Sequence, residues 1–211
     1  AATWNPNVVY QVGAAGGKEV KENNIAAWLT PALNIHRSPL CGRNFEYYSE
    51  DPLLAGVLAG AMVKGIQSQG VAATVKHFAL NNKETDRKHS DSRVSERAAR
   101  EIYLKAFEYV IKGAKPWAVM SSYNIINGCY ASENKELLED ILRDEWGFDG
   151  MVTTDWWTLG EHYKEVKAGN DMKMACGDPK RLKEAMDQGL LTRQDLEHCA
   201  ERVLNLILKL D

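Results

Sequence analysis

PLLAGVLAGAMVKGIQSQG-VAATVKHF-ALNNKETDRKHSDSR, residues 52–93, runs through three kinds of sequence in a row. Residues 52–69 are helix-like, with Pro52 suited to a first turn and Gly70 placed to stop the helix. Val71 to Phe78 is a short apolar run that ends in Lys76-His77-Phe78 and reads as a buried strand. Residues 79–93 are polar and irregular. Helix, buried strand and long polar loop make up the repeating unit of a parallel α/β sheet, in which the loops gather at the carboxyl ends of the strands.

The same unit recurs on both sides. Upstream, Asn5-Pro6 opens a helix over 7–22 with Val8, Val9, Val12, Ala15, Gly16 and Val20 on one face. Ile25 to Leu29 reads as a strand stopped by Thr30-Pro31, and a long polar loop runs from Asn34 to Asp51. Downstream, Ser95 caps a helix over 94–112 with Ile102, Tyr103, Ala106, Phe107, Val110 and Ile111 as its apolar stripe. Trp117 to Ser121 is a strand followed by a loop through Ser132, and 134–145 is a helix with Leu137, Leu138, Ile141 and Leu142 inward. Gly150 to Thr154 and Asp171 to Ala175 read as strands around a helix from Leu159 to Ala168, and helices over 178–188 and 192–210 close the chain.

A full (β/α)8 barrel needs eight strands and about 250 residues. Five short strands in 211 residues therefore predict an incomplete TIM-barrel-like domain of about five βα units, with the first strands missing and residues 1–211 forming part of a single barrel domain. A doubly wound sheet is the other parallel fold, but no Gly-x-Gly-x-x-Gly follows a strand. Ala1-Ala2-Thr3-Trp4-Asn5-Pro6 reads like the interior of a longer protein.

Composition narrows the function. The chain is 45% hydrophobic and 26% charged with net charge −3, which is ordinary for a globular domain. That charge offers no footprint for nucleic acid or an acidic membrane, and no apolar run approaches the roughly 20 residues of a membrane span. Cys41, Cys129, Cys176 and Cys199 are widely spaced and read as free thiols, which leans toward the cytoplasm without fixing a location. His36, His89, His162 and His198 lack metal-ligand spacing, so neither a metal nor a cofactor is expected.

In a βα barrel, chemistry sits where strands end. Four such ends are polar here: the Asn34–Asp51 loop, Lys76-His77-Phe78, Met120-Ser121-Ser122-Tyr123-Asn124, and Thr153-Thr154-Asp155-Trp156-Trp157. Arg, Lys, His, Tyr and Asp converging around aromatic faces suit a neutral, hydroxyl-rich ligand such as a sugar. A carboxylate at the mouth of that site is able to attack an anomeric carbon. Each residue also has a plainer reading. Asp155 suits a helix cap. Lys76 and His77 should face opposite ways along a strand. Arg43 has Glu46 and Glu50 within pairing reach, Lys83 to Arg100 reads as solvated surface or a loop gripping neighbouring turns, and one of the Trp156-Trp157 pair would serve as core.

The string from Asn34 to Pro52, the Lys76-His77-Phe78 segment, the turn Ser121 to Asn124, Leu142-Arg143-Asp144-Glu145-Trp146-Gly147-Phe148 and Asp155-Trp156, in this order, resemble glycoside hydrolase family three and its β-glucosidases. The likeness runs from Trp4 to about Leu210. It implies a retaining β-glucosidase in which Asp155 is the nucleophile that forms a glycosyl-enzyme intermediate. It also implies that Arg43, Lys76 and His77 bind sugar hydroxyls, that Tyr123 and Met120 line the pocket beside the nucleophile, and that Trp156 is an aromatic platform. A nearby Lys and Arg are expected to keep Asp155 ionised. The family's further partners, an Asp on the early barrel strands and the acid/base Glu of a second domain, match nothing in this chain and would come from the same parent chain or a separate one.

Ala79 to Asp86 replaces the Gly-His loop of the N-acetylglucosaminidase branch, which favours glucosides. A β-N-acetylglucosaminidase, a β-xylosidase, or a non-catalytic sugar-binding fragment that needs a partner chain are the alternatives. Cys41 before Gly42 and Trp157 after Trp156 depart from the family pattern and bear on the aglycone.

Overall fold

Side-chain caps fix where most helices of the computed structural model begin; it describes residues 1–175 and 177–211. Asn5 accepts the Asn7 amide at 3.0 Å to open α1 (Pro6–Glu22), and Asp51 accepts the Leu53 and Leu54 amides to open α2 (Pro52–Gln67). Ser95 caps α3 (Glu96–Ala98), which passes through a π-helical stretch (Ala99–Tyr103) into α4 (Lys105–Ala114). A second π-helical segment spans Glu136–Glu145, and α5 is His162–Lys167. Asp178 opens α6 (Pro179–Asp187), and a Thr192–Asp195 capping box opens α7 (Arg193–Leu210).

The strands are β1 (Ala27–Trp28), β2 (Ala72–Phe78), β3 (Asp91–Ser92), β4 (Ala118–Ser121), β5 (Ile125–Ile126), β6 (Cys129–Tyr130) and β7 (Met151–Thr154). Four of them form an all-parallel sheet in the order β1-β2-β4-β7. Of the strand expected over Asp171 to Ala175, a single parallel bridge between Thr153 and Met172 is present among the described residues. The result is a sector of a βα barrel with its helices on one side.

Alternation along the strands separates the two faces. Val75, Val119 and Val152 face the helices and join Leu58, Val63, Phe107, Leu138 and Leu142 in the main core. Ala72, Thr74, Ala118, Met120, Met151 and Thr153 occupy the other face, which would be a barrel's interior. At its amino-terminal end that face rests on α7, where Leu206 packs on Ala72, Ala118 and Met151. Asp171 ties α7 down as well: it accepts the Val152 amide at 2.7 Å, Arg143 at 2.9 Å and Arg202 of α7 at 3.2 Å.

Three further expectations need correction. The inward face of α1 is Val9, Gly13 and Gly17, while Val8 and Val12 are exposed. Backbone contact with α2 decides this: a Cβ on Gly13 would lie 2.6 Å from the Met62 carbonyl oxygen, and one on Gly65 would lie 2.2 Å from that of Tyr10. In the third helical segment Leu104 is buried and Ile102 exposed, because the π-helical turn rotates the stripe that a regular helix would present. Finally, β3, β5 and β6 form a small sheet where irregular loops were expected. Its β5–β6 hairpin turns at Asn127-Gly128, both at positive φ, a pair suited to a two-residue hairpin.

Cys41, Cys129 and Cys199 are free thiols, and Cys176 lies outside the described residues. No helix among the described residues is long and apolar enough to cross a membrane.

Candidate active site

The carboxyl ends of β2, β4 and β7 bring the side chains together. Asp155 follows β7 directly and is buried; its amide donates to the Ser121 carbonyl at 3.2 Å, which extends the β4–β7 ladder by one step. Its Oδ1 accepts the Trp156 amide at 2.7 Å. Its Oδ2 is buried without a hydrogen-bond donor and stands 3.8 Å from His77 Nε2.

His77 and Lys76 both reach the site, against strict alternation. The β2–β4 register shifts between Val75 and Phe78, which frees these two residues from the regular pleat. Asn34, from the loop after β1, clamps the His77 backbone: its amide donates to the His77 carbonyl at 2.8 Å, and its carbonyl accepts the His77 amide at 2.9 Å. Tyr47 packs edge-on to the His77 ring with centroids 6.3 Å apart. Asn81 donates to the Tyr47 hydroxyl at 3.1 Å, which in turn donates to the Asn81 carbonyl.

Arg43 and Lys76 are joined by Glu46, which forms a hydrogen-bonded pair with Arg43 and lies 4.0 Å from the Lys76 ammonium. Tyr123 carries two cations over its ring, the Arg87 guanidinium at 4.5 Å and the Lys88 ammonium at 5.0 Å. Lys88 also donates to the Trp157 carbonyl at 2.9 Å, so the loop after β2 is tied across the site to the loop after β7. Met120 is buried on the interior face of β4. Trp156 is half-buried and Trp157 is 62% exposed, so neither is core. A cavity of about 590 Å³ opens between the first two loops, lined by Arg37, Leu40, Gly42, Asn82, Glu84 and Ser90 among others; Asp155 is not in its lining.

Burial governs the protonation states. It pushes the Asp155 carboxyl above its ordinary range, against the Trp156 amide, the Tyr123 hydroxyl, Arg87 and Arg43, all of which favour the charged form. The expectation that a Lys and an Arg simply hold Asp155 ionised is therefore corrected: desolvation is the larger effect. Burial, with the Arg43, Lys76 and Arg87 charges, drives the His77 imidazole well below its ordinary value, so it is neutral at pH 7. Burial likewise lowers the Lys76 ammonium, against the pull of Glu46. For Arg43 burial is the largest single effect and acts downward, but the hydrogen bond it donates to Glu46, together with the charges of Tyr47, Glu46 and Glu84, makes the net shift upward. The Tyr123 phenol is pushed up to about 12 by burial and by Asp155.

Chemically, this is a desolvated carboxylate with one bare oxygen, flanked by donors that suit hydroxyl groups. Ester formation at that oxygen removes the charge that burial penalises, so the arrangement favours attack on an electrophilic carbon. Sequence reading missed Arg87 and Lys88, which stand in a charge-rich run that looks like solvated surface. The expected pairing of Arg43 with Glu46 is present, but no role was assigned to Asn34, Tyr47 or Asn81, although the first two lie in the string that carried the resemblance.

Comparison with known proteins bears on what this arrangement belongs to. Residues 1–206 match the model of the glycosyl hydrolase family 3 N-terminal domain. The chain is 66% identical over 197 residues to beta-glucosidase A of Butyrivibrio fibrisolvens, covering 93% of the chain and 24% of that protein. It is 45% identical over 210 residues to an exo-alpha-(1->6)-L-arabinopyranosidase of Bifidobacterium longum, covering 99% of the chain and 28% of that protein. The structure of beta-glucosidase 3B from Thermotoga neapolitana in complex with glucose superposes with a TM-score of 0.94 at 48% identity, over 98% of this chain and 30% of that one. The chain thus spans between 24% and 30% of the length of these relatives. On the domain match and these identities, the chain belongs to glycosyl hydrolase family 3.

Proposed function

We propose that this chain supplies the nucleophile half of a retaining β-glycosidase acting on β-glucosides. The observation that carries the reading is the Asp155 carboxylate: buried, at a strand end, with Oδ2 free of donors and 3.8 Å from a neutral His77. Asp155 attacks the anomeric carbon from the face opposite the leaving group and forms a glycosyl ester. A Glu outside this chain, on a second domain, protonates the departing oxygen and then activates water to cleave the ester. Retention requires the two carboxyls to stand about 5–5.5 Å apart when assembled.

The remaining side chains hold the ring. Arg43 and Lys76 donate charge-assisted hydrogen bonds to its hydroxyls, and Glu46 keeps the two cations from repelling one another. His77 donates from Nε2, or accepts there in its other tautomer. Tyr123 packs beside the nucleophile with Met120 beneath, and Trp156 offers an aromatic face to the sugar or its aglycone. The remaining barrel strands complete the bowl, from the same parent chain or a partner.

Trapping tests this reading. A 2-deoxy-2-fluoro-β-glucoside with a good leaving group, incubated with the full-length polypeptide, should label the peptide that contains Asp155. A label on any other residue would refute the assignment. A second reading, for pentopyranosides, has a specific support: one relative at 45% identity is named for an L-arabinopyranoside. A panel of aryl β-glucosides, β-xylosides, α-L-arabinopyranosides and N-acetyl-β-glucosaminides separates the readings by kcat/KM.

A further inference from the structure

Glu165 is fully buried on α5, a helix with no part in the reaction proposed above. A carboxylate in that setting is costly unless its oxygens are met by donors. They are: Ser132 donates to Oε1 at 3.0 Å, Thr158 donates to the same oxygen at 2.6 Å, and the Lys173 ammonium donates to Oε2. Lys173 also donates to the Thr158 hydroxyl at 3.2 Å and to the Gly160 carbonyl at 3.3 Å. The hydroxyl three residues beyond Asp155 therefore sits between the buried carboxylate and the partly buried ammonium.

A second set of bonds grips the other side of the same turn. The Met174 amide donates to the Thr154 hydroxyl at 2.9 Å, and the Trp157 amide donates to the Met174 carbonyl at 2.9 Å. Segment 154–158 is thus held on both flanks of Asp155. Within hydrogen-bond distance the Asp155 side chain has one donor, the Trp156 amide, and the Tyr123 hydroxyl stands nearby. Its place is set through the backbone.

We propose that Glu165, with Lys173 and the Thr158 hydroxyl, is a positioning device that aims the Asp155 carboxylate at the anomeric carbon. The proposal rests on the reading of Asp155 as nucleophile and deepens it. An apolar trio of the same volume would fill the space beneath the turn; what the ion pair adds is direction, since charge-assisted hydrogen bonds fix where Thr158 stands.

The test uses the full-length polypeptide and the variants Thr158→Val, Thr158→Ser and Glu165→Gln. Active sites are titrated with the 2-deoxy-2-fluoro glucoside, and kcat per titrated site, KM and Tm are measured. Thr158→Val is expected to lower kcat per titrated site about 10- to 100-fold, the cost of a misplacement on the order of 1 Å. KM should change less than about 3-fold, and Thr158→Ser should return kcat to within about 3-fold of the parent. Should Thr158→Val fail to fold, Glu165→Gln keeps the shape and one acceptor, and the same fall in kcat per site is expected. A lower Tm or fewer titratable sites with kcat per site unchanged would overturn the proposal and leave a structural role. An unlabelled parent enzyme would instead overturn the nucleophile assignment.

Discussion

On the helix side of the sheet, Val75, Val119 and Val152 meet Leu58, Phe107 and Leu142 in apolar contact. At the carboxyl ends of the same strands, His77 Nδ1, Asn81 Oδ1, Asn124 Oδ1 and Asp155 Oδ2 are buried with no hydrogen-bond partner. A buried unsatisfied polar atom costs on the order of 1–3 kcal/mol, so the mouth is less stable than its sequence neighbours require. The helix-facing side chains of the strands are built for packing, while the side chains that gather at the strands' carboxyl ends leave buried polar atoms unpaired. The difference teaches that stability and reactivity are segregated by side-chain direction, within a few residues of one another.

Asp155→Asn should break the comparison most sharply. Turnover should fall at least ~10³-fold, since the proposed nucleophile is lost. Thermal stability should rise at pH 7. The sign follows from burial: the folded carboxyl titrates above its ordinary 3.8, so its ionisation above that pH works against the fold, and the amide removes that penalty. The gain should vanish below about pH 4, where the carboxyl is protonated in both states. Calorimetry at pH 7 and pH 3.5 checks both limbs.

Phe107→Ala, on the packed face, should do the reverse. Phe107 is fully buried against Phe78 with ring centroids 5.2 Å apart, and truncation should cost about 3–5 kcal/mol. Denaturant unfolding should show that loss while kcat per titrated site holds. Gly65→Ala sharpens the same point at the α1–α2 crossing, where the new methyl would lie 2.2 Å from the Tyr10 carbonyl oxygen. Forcing the helices apart should cost about 1–3 kcal/mol, again without change in kcat per site.

The smallest effect is a pH slope. His77 is neutral in the fold and free to protonate when unfolded, so stability should fall as pH drops below about 6.5. One such group contributes at most about 1.4 kcal/mol per pH unit. His77→Gln should flatten the slope between pH 6.5 and 5; an unchanged slope would place the titrating group elsewhere.

Much of the architecture was legible because it is written in local signals. Asn5-Pro6, Asp51-Pro52, Ser95 and Thr192 announce helix starts, and the short apolar strands between them announce a parallel sheet. The register of the third helical segment was not, because a π-helical turn is a tertiary accommodation that moves Leu104 inward and Ile102 outward. The Asn127-Gly128 hairpin was readable and lay hidden inside a polar loop. At the site, polar strand ends drew attention to Lys76, His77, Tyr123 and Asp155, and the family resemblance added Arg43 and a proposed role for each. Arg87 was missed, since its position over Tyr123 depends on the path of a loop that composition makes look solvated. Reading charges without burial also gave the wrong balance for Asp155, because desolvation depends on the whole fold.

The central claim is that Asp155 forms the bond to the sugar. Azide rescue of Asp155→Gly in the full-length polypeptide tests it most directly. With the nucleophile removed, azide should enter from the vacated face of an activated aryl β-glucoside and give the α-glucosyl azide. Recovery of the β-glucosyl azide would show that the deleted carboxylate served as the acid/base on the opposite face, and would contradict the account.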